Sequence, residues 1–275
     1  MLGAIAGDII GSPYEFNRNN IKTTDFPLFS ERSRCADDSV MTFAIADALM
    51  KCIPERGKVP DKAAFADTVI DSMHEFGHAY PYVGYGPQFL VWLAYDKREP
   101  YGSFGNGSAM RVSPIGWAFD TLEDTEEYAE LSAAVSHNHP EGIKGARATA
   151  AAIFLSRTGS TKQQIREYIT SKYGYDLSRT IDEIRPSYKF DATCPGSVPE
   201  AITAFLEGES YEDTVRKAVS IGGDSDTIAC IAGGIAEAFY GEVPEEIARE
   251  VLAILDDDMK KMLADWRKWL IGGRE

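Results

Sequence analysis

The chain has 275 residues, 44% of them hydrophobic and 26% charged, an ordinary globular composition long enough to bury a sizeable core. Its formal charge of −15 argues against nonspecific binding to nucleic acid or to an anionic membrane. It also gives a phosphorylated ligand no long-range attraction, so such a ligand would have to be held by local groups.

The start, MLGAIAGDIIGSPYEF, has no basic residue and carries Asp8 and Glu15, so residues 1–11 read as a mature helix rather than a signal peptide. Helical spacing runs from Ser39 to the residues before Pro54, and residues 61–78 place Phe65, Val69, Met73 and Phe76 on one side. A glycine- and tyrosine-rich loop, YPYVGYGPQF, precedes a short helix around Phe89–Tyr95. The loop Ser103–Ser108 leads into a run from Ala109 that Pro114 must interrupt or kink. Residues 121–137 open on Thr121 with acids in the first turn, a good helix start.

Helices are further expected over 141–156, 161–173, 197–207 and 211–219. Ile221–Tyr240 should end at Gly241, and one last helix should span 245–270 with Leu263, Trp266, Trp269 and Leu270 on a stripe. Residues 174–196 are the least regular and read as a lid or substrate loop. No alternating strand, internal repeat, linker or membrane-length apolar stretch stands out, which predicts one compact all-α domain over residues 1–275 with no membrane partner. Four scattered cysteines, Cys35, Cys52, Cys194 and Cys230, suit a reducing cytosol, hence a cytoplasmic protein.

Two acidic clusters carry the chemistry. Asp37-Asp38-Ser39 and Asp224-Ser225-Asp226-Thr227 each pair carboxylates with a hydroxyl and open a small-residue helix. Either alone could be helix capping. Together they point to cations between them, and oxygen ligands without His or Cys favour Mg²⁺, Mn²⁺ or Ca²⁺ over zinc. Neither has EF-hand spacing, so a bimetal site is the better reading.

Gly105-Asn106-Gly107-Ser108-Ala109-Met110-Arg111 is a glycine-rich loop of the kind that turns N–H groups toward anions, although it is not a Walker sequence. His74-Glu75-Phe76-Gly77-His78 matches the short HExxH pattern of zinc proteases. It lacks the downstream ligand extension and falls on the side of Asp67 and Asp71, so a polar helix face is the better reading. His137-Asn138-His139-Pro140 lies in a break between helices, where a histidine could contact a ligand or cap a helix end.

In order, GAIAGDIIGSPYEF, ADDSVMT, GNGSAMRVSP, SHNHPEG and GGDSDTIACIAGGIAEAFYG make the chain resemble the ADP-ribosylglycohydrolases over nearly its whole length. The resemblance is to the family of the dinitrogenase reductase-activating glycohydrolase. It implies an orthogonal helical bundle with a central dinuclear metal cleft holding two Mg²⁺ (or Mn²⁺). It also implies hydrolysis of the N- or O-glycosidic bond to ADP-ribose in an ADP-ribosylated protein or small molecule, by a monomer or small homo-oligomer.

Position by position, Asp37, Asp38 and Ser39 resemble the first metal-binding set, and Asp224, Asp226 and Thr227 the second. Glu15 resembles the acid beside the metals and the attacking water, with Asp38 and Asp226 also expected to be needed for turnover. Gly105, Asn106, Gly107, Ser108 and Met110 resemble the diphosphate-contacting loop, and His139 a ribose contact. Tyr188 and Phe190 are candidates to stack on adenine. Ala36 departs from the family pattern, standing where a threonine hydroxyl would bind metal. That departure leaves a second reading, a non-catalytic ADP-ribose-binding relative.

Overall fold

Apolar runs and their punctuation account for most of the elements. The computed structural model describes residues 1–16, 18–54 and 58–272. The chain starts with α1 (Leu2–Gly11) and a 3-10 turn at Ser12–Tyr14, followed by α2 (Asp37–Cys52), α3 (Lys62–Ala79) and α4 (Pro87–Ala94). Asp37 and Asp38 lie in the first turn of α2, where free N–H groups favour negative charge. Asp61 caps α3 by accepting the N–H of Ala64.

The run after the glycine-rich loop is not one kinked helix. It is a single turn, α5 (Gly107–Met110), and then a separate α6 (Ser113–Ala118) with Pro114 in its first turn, where a missing N–H has no intrahelical acceptor to lose. Next come α7 (Leu122–Ala134), capped by Thr121, α8 (Pro140–Arg157), and α9 (Lys162–Tyr173) with a capping box between Thr161 and Gln164.

The irregular segment 174–196 holds a short α10 (Ile181–Ile184) and the first turn of α11 (Cys194–Glu207). Then follow α12 (Tyr211–Ile221) and α13 (Ser225–Tyr240), which stops at Gly241 with φ of 89°. The expected last helix is two, α14 (Glu245–Ile254) and α15 (Asp257–Gly272). The chain becomes extended at Leu255, and Asp256 restarts it by accepting the N–H of Met259 at 2.8 Å.

Glycines at every fourth position of α1 decide how these helices assemble. A Cβ on Gly7 would lie 2.1 Å from the carbonyl oxygen of Ala229, and one on Gly11 would lie 2.5 Å from Cα of Asp226. No side chain fits at either distance, so α1 and α13 touch backbone to backbone. That contact carries Asp8, on α1, to the start of α13. Around this pair α13 also packs on α8, α11 and α12. One apolar core runs from Met1 to Trp266 and makes a single all-α domain. Among the described residues there is no strand and no helix long and apolar enough to cross a membrane.

Candidate metal centre and cleft

Six carboxylates from four stretches of chain converge. Asp8 comes from α1, Glu15 from just beyond it, Asp37 and Asp38 from the first turn of α2, and Asp224 and Asp226 from the start of α13. Oxygens of Asp8, Asp38 and Asp226 lie within 4.8 Å of one another, and so do those of Glu15, Asp224 and Asp226. Asp226 belongs to both groups. Asp8, Asp38, Asp224 and Asp226 are buried. The turn that delivers the last two needs Gly222 and Gly223, at φ of 76° and 75°, and the carbonyl of Gly223 accepts the N–H of Phe16 at 2.9 Å.

Burial and mutual repulsion hold these groups toward their protonated forms. Burial, followed by the charge of Asp226, pushes Asp8 up to about 7 and Glu15 to about 8. Burial, then Asp226 and Asp8, pushes Asp37 to about 8. Asp38, Asp224 and Asp226 are raised as well, burial again being the main cause. The opposing charge is small: Arg34 lies 3.9 Å from Glu15 and is more than half exposed.

The residues fit divalent cations. Oδ1 of Asp8 and Oδ1 of Asp38 are buried with no hydrogen-bond partner, and an all-oxygen donor set suits Mg²⁺ or Mn²⁺. Asp8 was not singled out from sequence, although its position in GAIAGDIIG, between glycines, was a signal. Its other oxygen accepts the N–H of Ala36 at 3.0 Å, the N–H of Ser39 at 3.1 Å and the Ser39 hydroxyl. The Ser39 hydroxyl thus orients Asp8 with its proton, and its oxygen keeps its lone pairs as acceptors. Thr227 is buried at the cleft wall, with its hydroxyl 4.0 Å from Sδ of Met110.

Five of these acids, all but Asp8, line a cleft of about 640 Å³ together with Gly105, Asn106, Gly107 and Met110 of the glycine-rich loop. The loop is stitched to residues 192–194. Asn106 donates its backbone N–H to Ala192 and its side-chain amide to Asp224 (2.7 Å) and Ser197 (2.9 Å), and Cys194 donates to Phe104. Ser108 lies off the cleft, fully buried, its hydroxyl donated to the carbonyl of Gly142 at 2.8 Å. The helix that follows the loop is one turn long, so it brings little of the dipole expected there.

Of the two candidate histidines, His137 and not His139 lines the cleft. His139 is exposed and caps α8, Nδ1 accepting the N–H of Glu141 at 3.1 Å. His137 is buried, 2.8 Å from the Ser136 hydroxyl, and burial beside Arg111 keeps it neutral. Phe190 lines the cleft stacked on Phe16 (centroids 5.2 Å apart), whereas Tyr188 donates its hydroxyl to Gly196 and is not on the wall. Tyr85 from the loop after α3, Phe89 from α4 and Tyr101 from beyond α4 also line the wall.

A model of the family described as ADP-ribosylglycohydrolase matches residues 1–274. The chain is 27% identical to ADP-ribosylhydrolase ARH3 of Homo sapiens, over 89% of this chain and 86% of that one. It is 24% identical to ADP-ribosylarginine hydrolase Tri1 of Pseudomonas putida (strain GB-1), over 88% of this chain and 69% of that one. A solved structure of an ADP-ribosylglycohydrolase-related protein complex superposes with a TM-score of 0.67 at 21% identity, covering 99% of this chain and 97% of the other. That last likeness bears on the fold alone.

Proposed function

The chain belongs to the ADP-ribosylglycohydrolase family, and from that premise we propose that it hydrolyses the N- or O-glycosidic bond joining ADP-ribose to a protein side chain or a small-molecule acceptor. The observation that carries this reading is the convergence of six carboxylates, five of them on the wall of a cleft and Asp8 behind them, opposite a glycine-rich loop. Relatives named as ADP-ribosylhydrolase and ADP-ribosylarginine hydrolase support the substrate class. The scattered, unpaired cysteines favour a cytoplasmic site of action.

Asp8, Asp37, Asp38, Asp224 and Asp226 would hold two Mg²⁺ (or Mn²⁺). When bound, these cations supply the positive charge that orients the vicinal hydroxyls of the distal ribose and acidifies a water. The protein's own residues do the rest. Glu15, partly exposed at the cleft, takes a proton from the attacking water or gives one to the leaving group. The water oxygen joins the anomeric carbon, the acceptor leaves with the electron pair of the glycosidic bond and a proton, and the sugar passes through oxocarbenium character.

In this reading, the diphosphate is received at the backbone N–H of Gly107, since those of Gly105 and Asn106 are taken by Ser103 and Ala192. His137, held neutral, contacts the ribose without adding charge. The Phe16–Phe190 pair supplies a face for adenine.

Ala36 favours one alternative, a relative that binds ADP-ribose without cleaving it. It occupies the N-cap position of α2, buried, with no hydroxyl to offer a cation. ADP-ribose release from arginine-, serine- and acetyl-linked substrates, with Mg²⁺ and then with chelator, separates the two. Release abolished by the chelator supports the hydrolase. Tight ADP-ribose binding without release from any linkage supports the binding relative.

A further inference from the structure

A second group of metal-ligating side chains lies outside the cleft. His74 and His78, one turn apart on α3, meet Asp96 just beyond α4, with one ligand atom of each within 4.8 Å of the others. The face of α3 that carries the two histidines is not simply solvated. The segment after α4 crosses it: Arg98 pairs with Asp67 at 3.0 Å and Asp71 at 2.5 Å, and the carbonyl of Lys97 lies 2.9 Å from Nε2 of His74. Asp96 sits at φ of 45°, a region that non-glycine residues enter at a cost.

The hydrogen bond to Lys97 fixes the tautomer of His74. A carbonyl only accepts, so the neutral ring carries its proton on Nε2 and its lone pair on Nδ1. That Nδ1 is buried without a hydrogen-bond partner, in a ring stacked on Trp92 at 4.1 Å, and Oδ1 of Asp96 lies 3.8 Å from it. A ring whose far nitrogen donates to a carbonyl while its near nitrogen stays bare is oriented as metal-binding histidines are. Nε2 of His78 lies 3.6 Å from the same Asp96 oxygen and 3.2 Å from the carbonyl of Leu93. For Nε2 of His78 to take a cation, the ring proton moves from Nε2 to Nδ1, the other neutral tautomer.

We propose that His74, His78 and Asp96 form a transition-metal site with three protein ligands and an open fourth position. Two imidazoles and a carboxylate select Zn²⁺, or another borderline ion such as Co²⁺, over the Mg²⁺ that suits the all-carboxylate cleft. Tetrahedral zinc sets neighbouring ligand atoms about 3.3 Å apart. The separations of 3.6 and 3.8 Å close to that by small movements of His78 and Asp96, which are 54% and 76% exposed.

The site is structural and not proteolytic. Glu75, the acid of the HExxH pattern, is paired with Lys51 at 2.9 Å. The cation clamps the end of α4 to α3, and α4 carries Phe89, which lines the cleft and stacks on Trp92 at 5.5 Å.

The test titrates the chelator-stripped protein with zinc in millimolar Mg²⁺, which keeps the carboxylate cleft occupied, against a fluorescent zinc chelator. The wild type is expected to bind one zinc at micromolar or lower free concentration and to melt higher with it. His78→Ala and Asp96→Asn, which change exposed side chains, should each weaken that binding by at least about tenfold. Both should melt like the wild type without zinc. Equal zinc binding by all three proteins, or none by the wild type at micromolar zinc, would overturn the proposal.

Discussion

Ser39 donates both its hydroxyl and its backbone N–H to a single oxygen of Asp8, leaving the other Asp8 oxygen buried and without a partner. This relationship joins α1 to the first turn of α2 and makes Asp8 a member of the carboxylate cluster, with Ser39 as the group that orients it.

Asp8→Asn keeps an acceptor for those donors and removes the charge. It is expected to weaken Mn²⁺ binding by about 10- to 100-fold or more while the melting temperature of the metal-free protein holds or rises. Calorimetric Mn²⁺ titration of the two proteins decides this, and unchanged affinity would remove Asp8 from the centre.

The raised carboxyls set a pH dependence. Asp8 at about 7, and Asp37 and Glu15 at about 8, hold protons that the unfolded chain gives up near pH 4. Their contribution to stability is complete below the unfolded value and is lost as pH rises through the folded values. Chelator-treated protein should therefore melt lower at about pH 8 than at about pH 5. Millimolar Mg²⁺ should restore most of the difference. Scanning calorimetry that finds the metal-free protein more stable at the higher pH would contradict this account.

Glu15→Gln tests the proton carrier. Turnover of an ADP-ribosylated substrate is expected to fall by about a hundred- to ten-thousandfold, with ADP-ribose binding within a few-fold of wild type. Wild-type turnover would assign the proton transfer elsewhere.

Gly7→Ala probes the assembly. A methyl 2.1 Å from the carbonyl of Ala229 forces α1 and α13 apart, at a cost of about 1–3 kcal/mol or more by urea unfolding. Separation should also weaken divalent-cation binding, because Asp8 and Asp226 ride on the two helices. A variant as stable as wild type would show that the contact can relax.

Ala36→Thr supplies the hydroxyl missing from the cap of α2. It should tighten Mg²⁺ binding in a calorimetric titration with no capping gain, because Asp8 already accepts the N–H of Ser39 in that first turn. A loss of stability instead would mean that the buried position has no room for the larger side chain.

Periodicity, caps and breakers made most of the helices legible in the sequence, because those signals act within a few residues. The starts of α7 at Thr121 and α9 at Thr161 and the stop of α13 at Gly241 are local hydrogen-bonding events. The division at Leu255–Asp256 is local too, but three consecutive aspartates hid which of them caps α15.

The two acidic clusters were readable as a pair, since either alone fits helix capping and only the two together call for cations. Partnership across the chain was not. The meeting of Asp8 with Ser39, the choice of His137 over His139 at the cleft, the commitment of the Asn106 amide to Asp224, and the approach of Asp96 to the HExxH histidines each join residues far apart in sequence or differently turned within one loop. Such pairings are set by how closely two helices approach and which way a loop is pinned. Tertiary packing decides both, with the glycine face of α1 against α13 as the clearest instance.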